Sequence, residues 1–249
     1  MWNYGFKIVR SLFKRRQERP SLRAKLGSRI EADSDRSDIR VFEVELSSQQ
    51  YGDYEQSTGN PAEEAESSRL INIAKANGLY ISRDDWKSFG DRKRVPSGES
   101  IVFLNNSGKR VMKVRNPFAR SVVKQMHAPD VIYEYLIYNI LFPDTRYRFE
   151  GISEDADGVR IILSQPYIAD QFMIPCQEDI DRYLIEGLSL HREDRYFYGN
   201  EYIALTDVSA ESDNVLTNGT NLYFIDPIIK MKRPAVEVLE YYYELISTF

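Results

Sequence analysis

Residues 98–114 read GESIVFLNNSGKRVMKV. Gly98 to Leu104 and Arg110 to Val114 are rich in β-branched and large apolar residues, and they flank Asn105-Asn106-Ser107-Gly108, whose composition suits a turn. The stretch therefore predicts an antiparallel hairpin. Lys113 interrupts its second strand. By strand alternation it shares a face with Val111 and stands opposite Met112 and Val114. A lysine so placed either snorkels to water or meets an anion.

The elements on either side are consistent with this. Upstream, Asn60-Pro61 followed by Glu63, Glu64 and Glu66 suits a helix start, and the helix is expected to pass Leu70, Ile71, Ile73 and Ala74 and stop at Gly78. Downstream, a helix is expected from about Pro129 to Leu141, with Val131, Tyr135, Ile137, Tyr138 and Leu141 available for burial. A second hairpin is expected from Tyr147 through the turn Asp155–Gly158 to Leu163, followed by Gln165-Pro166-Tyr167-Ile168. Beyond lie a helix from Gln177 to Glu186, a hairpin turning on Asn218-Gly219, and a closing helix after Pro234. Alternating βαβ units are absent, which argues for an α+β protein of two small lobes over a doubly wound sheet.

The 249 residues, 42% hydrophobic, suffice for one moderate core with an extension. No apolar run approaches the ~20 residues of a membrane span, so a soluble chain with no transmembrane segment is expected. One cysteine, Cys176, excludes a disulfide framework, which points to a reducing, cytoplasmic setting, and His127 and His191 lack ligand spacing. The net charge of -5 conceals a polarised tail. Residues 1–30 carry nine Lys/Arg against Glu18, whereas residues 31–68 carry eleven acidic residues against Arg36 and Arg40. The first segment reads as a basic amphipathic extension, either a solvated arm or a surface for nucleic acid or an anionic membrane. Residues 31–62 read as an acidic flexible linker, too polar to offset chain entropy, with at most one short strand at 41–46.

Two further polar residues stand at strand ends. Asn214 opens Asn214-Val215-Leu216-Thr217, and Asp226 closes Leu222-Tyr223-Phe224-Ile225-Asp226. A two-residue Asn218-Gly219 turn sets Thr217 opposite Thr220 and Asn214 opposite Tyr223, with Asn214 and Asp226 toward the open end of the hairpin. An amide carbonyl and a carboxylate there suit Mg²⁺, which takes oxygen ligands and leaves room for phosphate. Each residue alone would read as a strand cap.

The order of parts is that of protein-kinase-like phosphotransferases: a glycine-containing hairpin, a strand lysine, a helix glutamate, a second hairpin with a connector, then Asp, Asn and a strand-terminal Asp. The runs at 98–102, 138–145, 165–167, 213–216 and 224–227 resemble the polyvalent-protein kinase domain family, over roughly Leu70 to Ile229. That resemblance implies an α+β, compact bilobal, protein-kinase-like fold. Its antiparallel β N-lobe would span about 63–164, its hinge 165–168 and its small C-lobe 169–249, behind a disordered N-terminal extension. It also implies ATP and Mg²⁺ as cofactors, transfer of the γ-phosphoryl group to an unknown protein or small-molecule hydroxyl, and a setting in bacterial and phage mobile elements.

By the same resemblance, Gly98 and Ser100 belong to the phosphate-covering hairpin, Lys113 contacts the α/β-phosphates and Glu134 pairs with Lys113. Gln165, Tyr167 and their neighbours form the hinge that meets adenine, with Val111 on the opposing wall. Asp207 orients or deprotonates the acceptor hydroxyl, and Asn214 and Asp226 hold Mg²⁺. Four departures bear on these roles. The covering loop has one glycine where Gly-x-Gly-x-x-Gly has three. Asp207 and Asn214 are seven residues apart, against five in His-Arg-Asp-x-x-x-x-Asn, which leaves Asp213 or Glu211 as alternative carboxylates. Pro227 stands where Phe-Gly would follow the metal aspartate, which argues against a mobile activation segment. Only 23 residues follow Asp226, short of the usual peptide-docking helices. A catalytically inactive pseudokinase of the same fold is the alternative reading, and an unrelated α+β interaction domain the third.

Overall fold

The computed structural model describes residues 60–93, 100–118, 128–168 and 173–247. The basic extension, the acidic linker, Gly98 and His127 lie outside the described residues. The described residues divide into two units: one takes those up to Tyr133 together with Tyr147–Tyr167, and the other takes Glu134–Arg146 and those from Ile168 onward.

The first unit is a five-stranded antiparallel sheet with a helix against it. Helix α1 (Asn60–Ala76) ends where expected, at Gly78, whose φ of 67° is the left-handed conformation that glycine adopts without strain. Strands β1 (Asp91–Lys93), β2 (Ser100–Leu104), β3 (Arg110–Arg115), β4 (Arg148–Asp155) and β5 (Gly158–Pro166) lie in the order β1-β2-β3-β5-β4. Both expected hairpins are present. One face of the sheet buries Val114, Phe103 and Ile162 with Trp86, and Met112 packs against this group. Trp86 comes from a 3₁₀ segment, Arg83–Phe89, that periodicity did not suggest, and its indole N–H donates to Ser153 Oγ at 3.0 Å. Helix α1 buries Leu70, Ile71, Ile73 and Ala74 and packs on β4 and β5. Gly151 marks a close approach: a Cβ there would lie 2.4 Å from the Leu79 carbonyl oxygen, which accepts the Ile152 N–H at 2.9 Å.

Helix α2 (Ala128–Leu141) starts within a residue of expectation and passes from one unit into the other, burying Tyr135, Ile137, Tyr138 and Leu141. The Val131 side chain lies outside the described residues. In the second unit, α3 (Gln177–Asp181) continues as a π-helix over Arg182–Gly187, so the expected helix is there but its second half is wound more widely. Strands β6 (His191–Arg192), β7 (Phe197–Gly199), β8 (Ile203–Thr206) and β11 (Ile228–Met231), each too short to show alternation in the sequence, form a four-stranded sheet of order β11-β8-β7-β6. The closing helix α4 (Ala235–Ser247) buries Val238, Leu239 and Tyr242, while Leu245 and Ile246 are half-buried. Tyr241 stacks on Tyr202 at 3.9 Å between centroids, so two of the three consecutive tyrosines serve packing.

The last hairpin corrects the expected register. Strands β9 (Val215–Thr217) and β10 (Leu222–Phe224) pair Thr217 with Leu222, not Thr220, so the loop is Asn218–Asn221. Asn218 is the cause: its Oδ1 accepts the N–H groups of Thr220 and Asn221, and Thr217 Oγ1 accepts that of Gly219. The shift is two residues. It keeps each side chain on its face but moves Asn214 from Tyr223 to Ile225, whose N–H donates to the Asn214 carbonyl at 2.8 Å. Among the described residues, no helix is long and apolar enough to cross a membrane.

Candidate functional site

Backbone pairing in the second unit gathers three of the predicted residues. Asp207 directly follows β8, and β8 pairs with β11 so that Thr206 faces Ile228, two residues past Asp226. Asp207 and Asp226 therefore lie at the same end of that strand pair. The β9–β10 hairpin closes the group, since the Asn214–Ile225 rung stands next to Asp226.

The seven-residue interval between Asp207 and Asn214 does not separate them. Ser212 N–H donates to the Ser209 carbonyl, Ser212 Oγ donates to the Asp207 carbonyl at 3.1 Å, and the extra length is taken up in a turn over 209–212. Asn214 Nδ2 then donates to Asp207 Oδ2 at 2.5 Å. Asp207 has φ 63°, a left-handed conformation that aspartate tolerates better than most residues and that is concentrated at functional sites. Its carboxyl is pushed above the ordinary aspartate range. Burial is the main cause, and the neighbouring charges of Asp226 and Asp213 add to it against the lowering effect of the Asn214 hydrogen bond. Of the alternative carboxylates, Glu211 is engaged: it pairs with Arg195 and accepts the Tyr196 hydroxyl at 2.7 Å. Asp213 is exposed and acts on Asp207 through charge.

An aromatic cluster fixes the strand that ends in Asp226. The Phe224 ring lies 4.5 Å from Phe142 and 5.0 Å from Tyr183, and the Tyr138 hydroxyl donates to the Phe224 carbonyl at 2.6 Å. Two of the runs that carried the family resemblance, 138–145 and 224–227, thus meet in space. Tyr183 donates to the Leu141 carbonyl at 2.7 Å, and burial holds its hydroxyl well above the usual tyrosine range. Tyr138→Phe is expected to lower stability by about 1–2 kcal/mol, because it leaves the Phe224 carbonyl without this donor. Thermal unfolding of the two proteins checks this.

In the first unit Lys113 is 7% exposed. It lies on the face of β3 opposite Met112 and Val114, as alternation required, and donates from Nζ to the Tyr147 hydroxyl at 3.0 Å, with the Tyr147 ring centroid at 5.1 Å. Tyr147 was not singled out in the sequence, where an isolated tyrosine before a strand carries no signal. Ser100 opens β2 opposite Arg115, and half-buried Val111 pairs with Leu104 and with fully buried Gln165. The Tyr167 N–H donates to the Lys109 carbonyl at 2.9 Å, extending the β3–β5 ladder by one rung. Alternation along that ladder turns the Pro166 carbonyl away from β3, past the point where β4 begins at Arg148. Glu134 lies on α2 in the other unit and is buried.

Among the described residues no group of three or more His, Cys, Asp or Glu could hold a metal ion. The donor set of the second unit nonetheless fits Mg²⁺ shared with phosphate. It offers a carboxylate and an amide oxygen, both hard donors, beside Asp207, whose carboxyl is raised mainly by burial and further by the charges of Asp226 and Asp213.

An antiparallel sheet with a buried strand lysine in one unit, and paired strands that gather two aspartates and an asparagine in the other, define an α+β protein of the kinase-like class. The chain belongs to the family described as Serine/Threonine/Tyrosine Kinase found in polyvalent proteins, which matches residues 63–233. The match starts within α1 and ends beyond β11, wider than the span from Leu70 to Ile229 that the sequence motifs suggested. No curated protein and no solved structure matches the chain.

Proposed function

We propose that the protein is an ATP- and Mg²⁺-dependent phosphotransferase that moves the γ-phosphoryl group of ATP to a hydroxyl of a protein or small molecule. The observation that carries this reading is the gathering of Asp207, Asn214 and Asp226 at one end of two strand pairs, within a chain of a kinase family.

In this reading Asn214 Oδ1 and Asp226 hold Mg²⁺, which neutralises phosphate charge when bound. Lys113 donates to the α/β-phosphates. The adenine edge reads the Pro166 carbonyl and the Ile168 N–H, because the Tyr167 N–H already serves the Lys109 carbonyl. Gln165 and Val111 line the same region, and Gly98 and Ser100 belong to the hairpin over the phosphates. Glu134 supports Lys113. Asp207, fixed by Asn214, orients the acceptor hydroxyl and takes its proton late in transfer. Its raised pKa strengthens it as a base relative to an ordinary aspartate. The phosphoryl group needs little covalent help, so positioning and charge neutralisation supply most of the rate.

Incubation with Mg²⁺ and γ-labelled ATP, followed by label in protein and in free phosphate, tests the reading. Asp207→Asn is expected to reduce transfer about 10²-fold while nucleotide binding persists. Transfer that Asp207→Asn leaves intact would remove Asp207 as the base. Nucleotide binding with no transfer by the unaltered protein would point to an inactive nucleotide-binding module.

A further inference from the structure

The loop that carries Asp207, Asp213 and Asn214 is held from outside by a residue with no role so far. We propose that Gln177 is a positioning residue for this loop, fixing its crown so that Asp207 and Asn214 keep their mutual geometry. The inference rests on the phosphotransferase reading and extends it to the support beneath the site.

Gln177 opens α3, and its side chain is bound at both ends. Oε1 accepts the Ala210 N–H at 3.0 Å, while Nε2 donates to the Tyr198 hydroxyl at 2.7 Å and to Asp181 Oδ1 at 3.0 Å. The chemistry permits one orientation. A backbone N–H can only donate and a carboxylate can only accept, so the oxygen must face Ala210 and the nitrogen Asp181. Tyr198, fully buried on β7, donates its hydroxyl proton to Asp181 Oδ1 and accepts from Gln177. Arg192 Nη1 donates to the other carboxylate oxygen at 3.0 Å. The network is thus closed: each donor meets an acceptor, and it links α3, β6 and β7 to the turn after β8.

Electrostatics supports the same arrangement. Burial would raise the Asp181 carboxyl, but hydrogen bonds from Tyr198 and Gln177 and the charge of Arg192 outweigh it and hold the group below the ordinary aspartate range. Burial and the adjacent carboxylate push the Tyr198 hydroxyl well above the usual tyrosine range. Neither partner of Gln177 changes charge near neutral pH. Contacts from Arg195 and Tyr196 to Glu211 also reach the crown, but they are exposed and therefore weak supports. Within the loop, Asp207 sits at positive φ and requires surrounding structure to keep it there.

Gln177→Met preserves length and volume and removes the acceptor for Ala210 together with the donors to Tyr198 and Asp181. In the full chain, amide exchange at Ala210 and Glu211 is expected to accelerate about tenfold or more, with Ala204 and Leu205 of β8 unchanged. The kcat for phosphate transfer is expected to fall about tenfold or more, with KM for ATP changed less than about threefold, as for displaced catalytic groups at an intact nucleotide site. Tyr198→Phe keeps the bond to Ala210 and should show a smaller change in both readouts. Unchanged exchange at Ala210, faster exchange spread through β7 and β8, or a freed loop with unchanged kcat would each overturn the proposal. If the unaltered protein transfers no phosphate, the phosphotransferase reading fails and the catalytic role of Gln177 fails with it. An active protein indifferent to Gln177→Met defeats the proposal alone.

Discussion

Asp226→Ala is expected to lower phosphate transfer from ATP by about 10³-fold or more, a larger effect than that expected of Asp207→Asn. Asp226 follows the Asn214–Ile225 rung and precedes β11, so its position is set by backbone pairing on both sides. Without it the proposed Mg²⁺ site would keep one protein ligand, the neutral Asn214, which cannot hold a hard dication against water. The substitution should leave the fold intact, because Asp226 is exposed and its charge adds to the effect of burial in pushing up the Asp207 carboxyl. A melting temperature equal to or above that of the unaltered protein, together with lost transfer that added Mg²⁺ does not restore, is the expected pair of results. Full transfer by Asp226→Ala would remove it as a metal ligand.

Lys113→Met is expected to reduce transfer about 10²–10³-fold, mainly through kcat, with weaker ATP binding. Lys113 is a buried cation on β3, in a sheet whose other face is packed with Val114, Phe103, Ile162 and Trp86. A buried ammonium requires polar or anionic company, and the Tyr147 hydroxyl supplies part of it. Methionine conserves the volume and is apolar, so stability should hold or rise while the charge for phosphate is lost. Steady-state kinetics with thermal unfolding separates the two effects. Reduced stability with unchanged transfer would assign Lys113 to the core alone.

Much of this was legible in the residues, and for identifiable reasons. The hairpin around Lys113 combined β-branched strands with a turn of Asn, Ser and Gly, and local chemistry of that kind survives tertiary packing. Lys113 was placed on the correct face because alternation has a strict period of two. Asp226 and Asn214 stood out as polar residues at the ends of apolar runs, and strand pairing brings them together. The register of their hairpin differs from the expected one because Asn218 forms a side-chain turn that widens a two-residue loop to four, a choice made by hydrogen bonds that composition does not reveal. The β6–β7–β8–β11 sheet escaped notice because strands of two to four residues carry no readable period. Gln177 and Tyr147 were invisible for another reason: each acts by a contact between residues distant in sequence, and neither lies in a motif.

The most direct test of the proposed Mg·ATP site is isothermal titration of the protein with ATP in the presence of Mg²⁺, repeated with Lys113→Ala and Asp226→Ala. Binding by the unaltered protein, weakened at least about tenfold in each variant, is the predicted result. No binding by the unaltered protein, or the same affinity in both variants, would contradict it.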